Sequence, residues 1–211
     1  MRKNYFTLLA GGLFLAFAFS CSEAKRPESD AKNGDAAQDT VALAGDKDSN
    51  LSKEDLVAKG EHLVITSGCD DCHSPKKYKN NMPEPDMDRR LSGHPADLKL
   101  APYDANTVKN GWAMTNQHFT AWVGPWGTSF SANITSDKET GIGNWTEEQF
   151  FRCLREGKYH GLADGRMLLP PMPWPNFKNY TDEELRAIFA YLKSIPAVKN
   201  AVPAPIPPKG A

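Results

Sequence analysis

Three segments of this chain carry apolar residues at helical spacing, and each opens on a capping signal. Ser52, with Asp55 three residues on, predicts a helix start, and Leu56, Gly60, Leu63 and Val64 then share one face. Glycine inside a helix costs about 1 kcal/mol relative to alanine, so Gly60 predicts a close crossing with another helix. Thr146 and Gln149 predict a second helix, with Phe150, Cys153, Leu154 and Gly157 on one side and Gly157 as its stop. Thr181 and Glu184 open a last helix. Its Leu185, Ile188, Phe189 and Leu192 form an i, i+3, i+4, i+7 stripe that Pro196 terminates.

The N-terminus follows a different rule. Arg2 and Lys3 precede an apolar run from Tyr5 to Phe19, which is too short to span a bilayer comfortably and predicts a signal peptide over 1–20. Ser20-Cys21 resembles a bacterial lipobox, although Ala18 and Phe19 stand where a Leu and a small residue are usual. Cys21 is therefore the expected lipidation site, the alternative being ordinary cleavage that leaves it a spare thiol. Residues 21–50 are polar, small and charged with no sustained period, which predicts a flexible tether behind a lipid anchor. Residues 51–200 then form the globular domain, and 201–211 a Pro-rich, extended tail. The expected location is exported, periplasm-facing and membrane-anchored, in a bacterium.

Charge narrows the partners. Lys and Arg total 25 against 26 Asp and Glu, so no basic field points to nucleic acid. The four Cys are distributed as Cys21, the pair Cys69 and Cys72, and Cys153, which does not make a disulfide framework. Cys153, on the apolar side of its helix, reads as a small core residue.

The chemistry is concentrated in Cys69-Asp70-Asp71-Cys72-His73. A C-x-x-C-H run in an exported chain reads as a covalent haem attachment site. The two thiols suit the vinyl groups along one side of a porphyrin, and the adjacent His73 reaches iron as an axial ligand. A zinc half-site or a redox dithiol is the alternative. The first would need further ligands in register, and the second a βαβ pattern that this chain lacks.

A haem held by His73 has either a second axial ligand or an open site. Met82, Met87, Met114, Met167 and Met172 are available. Met172 stands out because it lies in Leu169-Pro170-Pro171-Met172-Pro173-Trp174-Pro175, where prolines restrict the backbone and lower the entropy lost on folding. Met167 is the second choice; His94, His118 or His160 would make a bis-His site. Residues 74–145, with six prolines and four of the five Trp, read as an ordered but mostly irregular insertion over part of the haem. A short helix is expected near Asn116–Trp122.

Three stretches together resemble class I monohaem cytochromes c: Cys69–His73, Asn133-Ile134-Thr135-Ser136-Asp137-Lys138-Glu139-Thr140-Gly141-Ile142-Gly143, and the Met172 loop with the helix after it. They are most similar to the cytochrome c domains of membrane-associated alcohol and aldehyde dehydrogenase cytochrome subunits, over about residues 52–196. The resemblance implies an all-α fold around one haem c. It implies Cys69 and Cys72 as thioether residues, His73 and Met172 as the iron ligands, and electron transfer rather than catalysis. Expected partners are redox proteins: a dehydrogenase, an oxidase or another cytochrome. The insertion, including Arg89-Arg90-Leu91-Ser92-Gly93-His94-Pro95, has no counterpart in the minimal fold. The alternative reading is a peroxidase-like haem enzyme or gas sensor, whose open distal site would be built from the insertion and use His94, His118 or Arg166.

Overall fold

The computed structural model describes residues 51–208; the expected signal peptide, Cys21 and the tether lie outside them. The three capped helices are present. Helix α1 spans Lys53–Thr66, and the Ser52 hydroxyl accepts from the Asp55 amide at 3.1 Å. Thr146 and Gln149 form a complete capping box ahead of a helix over Glu147–Glu156, as do Thr181 and Glu184 ahead of one over Asp182–Ser194. Three further short helices lie between: Cys69–His73 (α2), Ala105–Lys109 (α3) and, after the Met172 loop, Trp174–Phe177 (α5). The two capped helices are therefore α4 and α6. Helix α4 stops at Gly157, whose φ of 67° is the left-handed conformation that glycine tolerates best.

Helices α1 and α6 cross at Gly60. A Cβ there would lie 1.9 Å from the Ala187 carbonyl oxygen and 2.8 Å from Tyr191 Cβ, so the glycine is the condition of the crossing. Val64, Phe150, Leu154, Leu185, Ile188 and Leu192 form the core expected from the helical stripes. Leu91 and Ile142 join it from outside the helices, and each such burial stabilises the fold by about 1.5–3 kcal/mol.

The stretch 74–145 corrects the expectation of an all-α chain with an irregular insertion. Strands β1 (Lys76–Lys79) and β2 (Met82–Pro85) form an antiparallel hairpin. Its turn residues Asn80 and Asn81 both have positive φ, which suits the tight turn that matches strand twist. Strands β3 (Met114–Thr115), β4 (Ala121–Gly124) and β5 (Gly127–Phe130) form a second antiparallel sheet in the order β3-β4-β5. The helix expected over Asn116–Trp122 is likewise corrected. The chain turns there between β3 and β4, because the Asn116 side-chain oxygen takes the amides of Thr120 and Ala121. The tail runs back beside β5, where Thr128 and Ile206 exchange both backbone hydrogen bonds at 2.7 and 2.9 Å. Among the described residues no helix is long and apolar enough to cross a membrane.

Candidate functional site

Helix α2 begins after Gly68 and consists of the five residues Cys69–His73. One helical turn separates the two thiols, so both leave the same side. His73 is buried, and its Nδ1 lies 2.7 Å from the Ala132 carbonyl oxygen. A carbonyl can only accept, so Nδ1 carries the proton and Nε2 keeps its lone pair for a metal. Burial also pushes the His73 pKa down, which keeps the ring neutral, as a ligand must be. The backbone is fixed as well, with the Gly93 amide donating to the His73 carbonyl at 2.7 Å.

Cys69, Cys72 and Cys153 are all free thiols. Burial, and then the Asp70 charge, push Cys69 up to about 12. Burial and Asp71 raise Cys72. A redox dithiol needs a depressed thiol pKa, so these thiols are poorly suited to exchange. Cys153, half-buried on α4, has its thiol pushed up by burial to about 11. Among the described residues no group of three or more His, Cys, Asp or Glu side chains is arranged to hold a bare metal ion.

Charged residues brace the motif from below. Asp70 accepts from Arg90 through Nε at 2.9 Å and Nη2 at 2.7 Å, and from the Ser74 hydroxyl at 2.6 Å. Burial alone would raise the Asp70 pKa, but the Arg90 and Ser74 hydrogen bonds and the Arg90 charge hold it below the ordinary value. Arg90 also donates to the Tyr191 hydroxyl on α6. Lys76, only 7% exposed, donates to the carbonyls of Asp70 and Ser74 at 2.7 and 2.6 Å. These groups went unread in the sequence, although Arg89–Pro95 stood out there as a run without counterpart. The run packs around α2: Leu91 is fully buried, and its amide donates to Ser74 Oγ.

Met172 is half-buried against the same apolar core as Cys69, Ile134, Trp145, Phe177 and Tyr180. Met82, Met87 and Met167 are exposed by 66%, 66% and 43%, which separates them from Met172. The histidines named as alternative ligands make contacts of their own. His94 is fully buried, with Nδ1 2.9 Å from Thr120 Oγ1 and Nε2 3.2 Å from the Leu98 carbonyl, so both ring nitrogens are engaged. His118 Nδ1 accepts from the Lys76 amide, and His160 stacks on Tyr159. Arg166 lies over the opposing Tyr159 ring at 3.9 Å. Two thiols on one turn, a neutral imidazole with its tautomer fixed, and a thioether in the same apolar core are a donor set that fits an iron porphyrin.

No family model matches the chain. Curated relatives do. A nicotinate dehydrogenase subunit of Pseudomonas putida is 42% identical over 99 residues, which is 47% of this chain and 8% of that protein. The fructose dehydrogenase cytochrome subunit of Gluconobacter japonicus is 28% identical over 156 residues, 71% of this chain and 24% of its own length. The gluconate 2-dehydrogenase cytochrome c subunit of Pantoea cypripedii is 31% identical over 152 residues, 72% of this chain and 25% of its own. The chain thus spans about a quarter or less of the length of these relatives. It is similar to cytochrome c subunits of dehydrogenases, in agreement with the resemblance carried by its motifs.

Proposed function

We propose that this chain is a monohaem c-type cytochrome that passes single electrons between redox proteins at the periplasmic side of a bacterial membrane. The observation that carries the reading is His73. It is buried, with Nδ1–H tied to Ala132 and Nε2 left free, in the same short helix as two unpaired thiols. In this reading Cys69 and Cys72 attach one haem c through thioethers, and His73 and Met172 ligate its iron. When bound, the haem supplies one-electron transfer between ferric and ferrous states. With His73 and Met172 both holding the iron, the haem would have no open position for a substrate, and the chain would act as a carrier rather than an enzyme. Cys21 carries lipid, and residues 21–50 let the domain move relative to the membrane. The relatives named as dehydrogenase cytochrome subunits favour a dehydrogenase as one partner; an oxidase or a further cytochrome would take the electron onward.

The test is direct. Peroxidase-active haem should stay on the chain through denaturing electrophoresis and be lost in Cys69→Ser/Cys72→Ser. The ferric protein should show the weak far-red sulfur-to-iron band, and Met172→Ala should abolish it and make the reduced protein bind carbon monoxide. A band that survives in Met172→Ala would reject Met172 as the ligand. Rapid carbon monoxide binding by the unaltered protein would reject the carrier reading in favour of an open-site haem protein.

A further inference from the structure

The loop that presents Met172 is poor in backbone donors, because Pro170, Pro171 and Pro173 have no N–H. The Met172 amide turns back onto the Leu169 carbonyl at 3.3 Å. Such a loop has to be fixed through its carbonyls, and the Pro170 carbonyl accepts from Ser129 Oγ at 2.6 Å. Ser129 is a strand residue of β5 and 8% exposed. Its hydroxyl has one proton, which goes to Pro170, and a lone pair that takes Trp126 Nε1–H at 3.2 Å. The Trp126 bond therefore aims the hydroxyl at the loop. Three residues further along the same run, Ala132 receives Nδ1–H of His73. One stretch of the insertion, residues 129–132, thus touches the loop of one candidate axial ligand and the ring of the other.

We propose that Ser129 is the positioning residue for Met172, so that the sheet of the insertion holds the thioether against iron from outside the helical core. The proposal rests on the reading of Met172 as an axial ligand. An iron–thioether bond competes with release of the loop, and the Ser129–Pro170 bond favours the bound arrangement. Loss of one hydrogen bond of this kind shifts such an equilibrium about 3- to 10-fold.

The experiment follows the far-red band of the ferric holoprotein as pH rises, a titration that reports displacement of the thioether. Ser129→Ala should lower its midpoint by about half to one pH unit, the same 3- to 10-fold change in the equilibrium. Ser129→Thr, which keeps the hydroxyl, should return the midpoint toward its original value. Trp126→Phe, which releases the hydroxyl without removing it, should shift it in the same direction by less. Ser136→Ala is the structural control. It deletes another hydroxyl-to-carbonyl bond, Ser136 to Ile195 at 2.6 Å, and should lower thermal stability while leaving the midpoint in place. If Ser129→Ala and Trp126→Phe leave the midpoint unmoved, or Ser136→Ala moves it equally, Ser129 has no positioning role. A band absent from the unaltered protein, or surviving in Met172→Ala, instead removes the ligand reading on which the proposal stands.

Discussion

Lys76 shows how much a single residue near the haem motif can decide. Its ammonium is buried yet bonded only to carbonyl oxygens, those of Asp70 and Ser74. Carbonyls supply partial charge and no counter-ion. Burial lowers the Lys76 pKa, and the Asp71 and Asp70 charges oppose that shift. Asp70 itself is matched by Arg90 through a bidentate pair, which leaves Asp71 to oppose the Lys76 charge beside α2. Positive charge disfavours ferric iron relative to ferrous. On the proposed function, Lys76→Met should therefore lower the midpoint potential of the haem-loaded protein by tens of millivolts, measured by redox titration, with its absorption spectrum unchanged. A potential that stays put would mean that solvent or Asp71 already screens the charge. The motif Cys69–His73 was readable because its spacing is local chemistry. The partners of its residues were not, since Arg90 and Ala132 reach α2 only through tertiary folding.

The elements divide in the same way. Helices α1, α4 and α6 were legible because capping and a 3.6-residue period are written within one segment. The sheets were not, because β3 has two residues and β1, β2, β4 and β5 four each. Alternation cannot show itself over so few positions, and pairing is decided by residues distant in sequence. Gly60 is the exception that links the two scales: a local break in helix propensity predicted a long-range contact. Gly60→Ala should improve the propensity of α1 by about 1 kcal/mol. It also drives a methyl group into the backbone of α6, where overpacking costs about 1–3 kcal/mol or more. The clash should win, because the neighbour at 1.9 Å is a backbone carbonyl that cannot rotate away. A lower thermal midpoint is the expected result, and an unchanged or raised one would show that α1 and α6 can separate without loss.

At the scale of the molecule, the insertion and the helical core are sewn together by the segment that follows α6. Asn200 donates to the carbonyls of Ser92 and His94 at 2.7 and 2.8 Å, and its side-chain oxygen accepts from the Ala96 amide at 2.9 Å. Asn133, in the loop before α4, donates to the Val198 carbonyl at 2.8 Å. The loops at Ser92–Ala96 and Asn133 are therefore tied to the segment after the last helix, and Leu91 of the insertion sits in the helical core. An insertion bound at so many points should not melt alone. Four of the five Trp lie between residues 112 and 145, while most helical signal comes from α1, α4 and α6. Tryptophan fluorescence and far-ultraviolet circular dichroism should consequently trace one thermal transition with one midpoint. Asn200→Ala removes three bonds to a part-buried loop, a loss of about 1–3 kcal/mol. For a domain of this size that lowers the midpoint by about 2–4 °C per kcal/mol. The shift should be the same by both probes if the molecule is one cooperative unit. A fluorescence transition that moves ahead of the helical one would show instead that the insertion is a separable lid over a core that holds without it.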